Sequence, residues 1–148
     1  MIQQWKSISD KGMAIFLGRW LLGLLFLLRG WYKVFEMTPQ VHTDRVFIER
    51  FAETWIPEPA LWSLGMSIPF IELIGGVLLC LGLFVRPVLA VFVGLLIITT
   101  YGHALLEPFF DIDGHTFTYA VLITFLLLAG RDEDSWSVEG WVESRKSD

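Results

Sequence analysis

The sequence predicts an all-α, polytopic membrane protein: a four-helix bundle with both termini in the cytoplasm and one short amphipathic helix on the outer surface. Three observations predict it. Of 148 residues, 54% are hydrophobic and the mean hydropathy is +0.57, more apolar surface than one soluble core of this size consumes. Four apolar stretches follow one another at about 13–35, 61–85, 87–107 and 115–130, and a spanning helix needs roughly 20 such residues. Basic residues cluster near alternate ends of those stretches, as they do in multi-pass proteins.

The first stretch follows Lys6 and Lys11 and has an apolar run at 21–28, features that a secretory signal also has. Arg29, Trp31, Tyr32 and Lys33 come next with no small-residue cleavage site, so the stretch is read as an uncleaved helix. In the loop that follows, "RVFIERFAETW" places Phe47, Phe51 and Trp55 at i, i+4 and i+8, with Arg45, Glu49, Arg50 and Glu53 facing away. That pattern predicts an interfacial helix over about 44–56, with Phe51 and Trp55 in the headgroup layer. Pro57 and Pro59 end it and start the second span. The third span follows the Arg86 turn. The fourth is short and extends back through "FFDIDGH". The tail, 131–148, has Val138, Trp141 and Val142 on one side of a second interfacial helix. The chain is read as a single domain over 1–148.

Orientation follows from the basic residues. Lys6, Lys11, Arg19, Arg86, Arg131, Arg145 and Lys146 fall on one side; Lys33, Arg45 and Arg50 fall on the other. Seven against three places the termini in the cytoplasm and the chain in the inner (cytoplasmic) membrane. Trp31, Tyr32, Trp55, Trp62 and Tyr101 form an outer aromatic belt, and Trp5, Trp136 and Trp141 an inner one. The net charge is −5 and no basic tract suggests nucleic acid. Cys80 is the only cysteine and has no partner for an intramolecular disulfide.

Within these spans the polar residues are spaced as helix faces. Gly65, Pro69, Glu72, Gly76, Leu79 and Leu83 form one seam, whose small residues admit a neighbouring backbone. Arg19, Gly23, Phe26, Gly30 and Lys33 form a matching seam in the first span, with Arg29 one turn from Lys33. Thr99 or Thr100, His103 and Glu107 share a face of the third. Arg29 lies about 10 Å and Glu72 about 16 Å from the outer ends of their helices at 1.5 Å per residue. Side chains lean toward their own N-terminus, so antiparallel helices bring the tips to one level. Ionisable groups at that depth mark a functional site. Glu72 and His103 are the candidate proton carriers. Arg29, Lys33 and Glu107 are candidate ligand contacts, and Tyr101 and Trp62, with Phe26, are candidate flanks for a flat ring. For Arg19 the sequence predicts a side chain that snorkels to the inner headgroups. Glu72, His103, Glu107 and His115 are possible metal ligands, but no E-x-x-H pair occurs, so neither a metal nor a flavin is assigned.

The segments "LGRWLLGLLFLLRGWYKVFE", "IELIGGVLLCLGLFVRP" and "YGHALLEPFFDIDGHTFTYAVLITFLLLAGRDEDSWSVEGW" resemble the DoxX family of small four-helix membrane proteins. The family's marks are matched by Arg19, by Gly30 with Lys33, by Glu72 with Gly75 and Gly76, and by Gly130 with Ser137. The resemblance implies a membrane-integral protein linked to quinone or thiol redox chemistry, since relatives are named as subunits of a thiosulfate:quinone oxidoreductase or occur in oxidant-resistance assemblies. The acidic "GRDEDSWSVE" segment and the loop at 37–60 are longer than the family pattern. The chain has no C-x-x-C, dinucleotide fingerprint or haem-attachment motif. Two readings stand: a quinone-linked oxidoreductase subunit, with quinone as its cofactor, or a non-catalytic accessory or assembly subunit. The bilayer and other membrane subunits, or further copies of the chain, are the expected partners.

Overall fold

A computed structural model of the chain describes residues 10–107, 116–129 and 137–138, and every regular element among them is helical. Helix α1 (Asp10–Trp31) continues as a π-helical turn, Tyr32–Glu36, giving one apolar rod. Helix α2 (residues 39–51) consists of α-helical turns Pro39–His42 and Glu49–Phe51 around a π-helical stretch Thr43–Ile48. Helices α3 (Glu58–Leu81), α4 (Val85–Leu106) and α5 (Thr118–Ala129) follow. The rod of α1, together with α3 and α4, supplies three helices long and apolar enough to cross a bilayer. The 12 residues of α5 cover about 18 Å at the α-helical rise, shorter than the roughly 30 Å hydrocarbon layer. Its expected extension through "FFDIDGH", the tail helix around Trp141, and the aromatic anchors Trp5 and Trp136 lie outside the described residues.

The helices close a ring in which α1 packs on α3, α3 on α4, α4 on α5 and α5 on α1. The α1–α3 contact is much the most extensive, and it follows the two seams of small residues. Gly23, Gly30, Gly65, Pro69 and Gly76 are all buried. A Cβ on Gly30 would run into the backbone of Leu73, and one on Gly76 would lie 2.5 Å from the amide nitrogen of Leu27. The two backbones therefore touch, as small-residue interfaces allow in lipid, where packing drives association in place of the hydrophobic effect. Phe92 of α4 lies against Gly75 and stacks on Phe26 of α1 at 3.7 Å between ring centroids.

At the end of this bundle opposite α2, Arg19 departs from expectation. It is fully buried and does not reach outward. Its guanidinium donates to the carbonyls of Leu79 and Cys80 at 2.5 and 2.9 Å. Those carbonyls belong to the last turn of α3, where helical amides run out. Gly82 ends the helix in the left-handed region (φ 68°), with the amides of Gly82 and Leu83 returning to Leu79 and Leu78. Arg19 adds a second donor to the Leu79 carbonyl and serves that of Cys80 as well, and a cation at a helix C-terminus is also favoured by the helix dipole. Ser137 is buried against Gly82, so the tail returns to the same point. The competing demand of α3's carbonyls outweighs the headgroups that Arg19 would otherwise reach.

Helix α2 starts earlier and ends earlier than 44–56. Thr38 accepts from the Val41 amide at 3.5 Å and Pro39 occupies the first turn, a start signal that the apolar period at Phe47 does not contain. At the other end the Thr54 hydroxyl and amide both bond to the Phe51 carbonyl, closing a turn. Phe47 and Phe51 stack at 6.0 Å. Trp55 lies beyond the last helical turn and is 73% exposed, so it does not share their face. Trp31, Tyr32, Trp62 and Tyr101 are likewise exposed, at the α2 end of their helices.

Candidate functional site

Beneath α2 the helices diverge around a cavity of about 540 Å³, within the size range of small-molecule sites. Much of its wall is apolar, including Phe26, Leu61, Leu64, Ile68 and Leu95. Its polar groups come from every helix. Lys33 and Arg29 are on α1, His42 on α2, Glu72 on α3, Thr99 and His103 on α4, and Tyr119 on α5.

The centre of the site is an ion pair. Lys33 Nζ lies 2.6 Å from Glu72 Oε2, with side-chain exposures of 22% and 5%. Glu72 is placed there by the small residues of its own seam, since the contact at Gly30 brings α1 within reach one turn from Lys33. Oε1 of Glu72 makes no hydrogen bond among the described residues and is available to the cavity. Arg29 takes a different direction: its Cζ is 5.1 Å from the Tyr119 ring centroid, a cation–π contact. Tyr119 in turn leans on Phe26 at 5.1 Å.

Of the residues singled out from sequence, Glu72, Lys33, Arg29, His103 and Tyr101 all line this one cavity. Trp62 does not: it is half exposed and absent from the wall. The wall residues of α3 are Leu61, Leu64, Ile68 and Glu72, and Trp62 points about 100° round the helix from Leu61. Glu107 is also off the wall. It ends α4 in an extended conformation and pairs with Arg50 of α2 at 3.3 Å, both side chains being exposed. Arg50 itself lines the cavity, so the pair stands at its rim. An exposed pair of this kind holds little energy. Thr99 bonds back to Leu95 and Leu96 of its own helix, and the Thr100 hydroxyl lies 3.3 Å from that of Thr116. His115 lies outside the described residues.

Sequence reasoning missed His42. It is 3% exposed, lies edge-on to Phe47 at 5.5 Å, and its Nδ1 is 3.0 Å from the Gly65 carbonyl. Pro69 explains that contact. Proline inside a helix has no N–H to give the carbonyl four residues back, and that carbonyl is Gly65. His42 supplies the missing donor. The signal was present, because Pro69 inside an apolar helix calls for a donor from elsewhere.

Burial holds the His42 pKa below the ordinary histidine value, and the nearby Lys33 ammonium acts in the same direction. The unfolded chain then takes up a proton near pH 6.5 that the folded chain resists. Stability should be greatest above that pH and fall as the pH drops below it. Thermal unfolding in detergent should show a lower midpoint at acid pH, with a shallower fall in His42→Asn.

The arrangement defines a helical membrane protein with a polar, ion-paired site inside its bundle. The chain belongs to the DoxX family: the family's sequence model matches residues 14–104, from the first turns of α1 to the last turn of α4. The match contains Arg19, Lys33, His42, Glu72 and His103. Comparison with curated proteins gives no match, and comparison with solved structures gives none.

Proposed function

We propose that the protein is a quinone-linked redox subunit of the cytoplasmic membrane, with its cavity receiving the quinone head group beside Lys33 and Glu72. The observation that supports this most is a nearly dry carboxylate, paired on one oxygen and open on the other, in a mainly apolar cavity with room for a head group. Intramembrane ionisable groups of this kind are functional by default. Quinone reduction consumes two protons and two electrons; a partner subunit supplies the electrons. Glu72 and His103 carry protons on and off the site. Arg29 and Lys33 donate to an oxygen of the head group, and Phe26 and Tyr101 flank its ring. The test is Glu72→Gln, which keeps shape and hydrogen bonding but carries no proton at ordinary pH. It should assemble normally and lose quinone-linked turnover in membranes. Full turnover would remove Glu72 from the proton path.

One observation favours an accessory role instead. The Lys33–Glu72 pair sits where the α1 and α3 backbones touch at Gly30, so it also pins the helix packing. On that reading Glu72→Gln retains function wherever it retains folding.

We also propose that α2 lies outside the cell and the termini inside, a reading supported by the distribution of basic residues. In a Cys80→Ser background, Thr54→Cys should be labelled by an impermeant thiol reagent on intact cells and Ser147→Cys should not. The reverse pattern would invert the orientation.

A further inference from the structure

We propose that the cavity discriminates between redox forms of its head group, preferring the hydroxyl-bearing reduced form, with His42 Nε2 as the discriminating acceptor. The inference rests on the quinone reading and deepens it. A carbonyl oxygen only accepts, so the His42 nitrogen 3.0 Å from Gly65 O must bear the hydrogen. In the neutral ring the other nitrogen, Nε2, is then a lone-pair acceptor. Pro69 fixes this tautomer, because the Gly65 carbonyl has no helical amide to satisfy it. His42 is buried from solvent yet lines the cavity, and no protein group among the described residues takes Nε2. Burial and Lys33 keep the ring neutral near physiological pH.

A hydroxyl can donate to Nε2; a quinone carbonyl cannot, and would leave that nitrogen desolvated with no donor. A site built around a hydrogen-bonding group rejects the analogue that lacks the complementary atom. Arg29 and Lys33 donate to an oxygen of either form and do not discriminate. The other titratable groups facing this space are Glu72 of α3, His103 of α4, Tyr119 of α5 and Arg50 of α2 itself. Glu72 and His103 can add to the preference but do not depend on His42, so the substitution isolates the His42 share.

The test measures the affinities of a short-chain quinone and its hydroquinone, under anaerobic conditions, for the full chain in lipid nanodiscs. Near neutral pH the hydroquinone should bind about fivefold more tightly, the worth of one hydrogen bond. His42→Asn keeps an amide N–H for Gly65 and lacks Nε2. It should lower the hydroquinone-to-quinone preference about fivefold. The wild-type preference should also fall as acid protonates Nε2, and the part of that fall due to His42 should vanish in the variant. Nitrogen NMR of His42 in the wild type reads the tautomer directly and stands even if the variant folds poorly. A hydrogen on Nε2 at neutral pH, equal wild-type affinities, or an undiminished preference in His42→Asn would each overturn the proposal. Binding of both forms without preference would leave the quinone site standing. Binding of neither would end both readings.

Discussion

Lys33→Met is expected to destabilise the bundle by about 3 kcal/mol or more, the range for stranding one member of a buried ion pair. The pair is asymmetric. Glu72 is 5% exposed and Lys33 22%. A lysine left alone has a flexible stem with which to reach toward water; the glutamate, set in mid-helix among Ile68, Gly75 and Gly76, has none. Lys33→Met should therefore cost more than Glu72→Leu. The double variant should cost less than either, because replacing a whole buried pair by apolar groups removes the desolvation penalty along with the attraction. Unfolding by denaturing detergent, or the steady-state level in membranes, gives the order. A double variant less stable than Lys33→Met would show that the pair is stabilising beyond its own desolvation, and would favour the packing role for Glu72.

The second large effect is expected at Gly30. A Cβ there would enter the backbone of Leu73 and lie 2.9 Å from the Glu72 carbonyl carbon. A side chain in the way can turn aside; a helix backbone cannot. Gly30→Val must push α1 and α3 apart, at a cost of about 1–3 kcal/mol or more by the behaviour of overpacked interiors. The separation would lengthen the Lys33–Glu72 contact as well, so ligand affinity should fall with stability. Gly94→Ala is the control. No atom lies within 4 Å of its Cβ position, and alanine is the better helix former, so stability should be unchanged or slightly higher. Equal losses in the two variants would mean that the α1–α3 contact is looser than described.

The parts of the fold that were legible in sequence are those governed by helical period and composition. The seam Gly65, Pro69, Glu72, Gly76 and Leu79 is buried as its spacing requires, and so is the seam Arg19, Gly23, Phe26 and Gly30, while the seam ends Leu83 and Lys33 are only half-buried. Antiparallel lean sets Arg29 and Glu72 at one level, but the ion pair is made by Lys33, one turn further along, and Arg29 turns to Tyr119 instead. The misreadings share a cause: each depended on a backbone group that period does not display. Arg19 has the sequence of a snorkelling residue because the carbonyls of Leu79 and Cys80 that it binds belong to another helix. His42 was invisible because its demand comes from Pro69, on a different element. Trp55 continues the Phe47–Phe51 spacing in sequence, but the helix stops at Phe51, where the Thr54 hydroxyl and amide close a turn. Trp62 has the chemistry of a ring flank but sits one position away from Leu61, the residue that faces inward.

A quinone head group is proposed to enter the cavity under α2, beside Lys33 and Glu72. Photolabelling tests it most directly. The full chain in native-like lipid is irradiated with a short-chain azidoquinone, digested, and its adducts are mapped by mass spectrometry. Adducts are expected on cavity residues of α2, α3 and α4, such as Phe47, Leu64 or Leu96, competed away by unlabelled quinone and weakened in Glu72→Gln. Adducts confined to outward-facing residues such as Leu28, Ile74 or Leu128, and indifferent to competition, would contradict it.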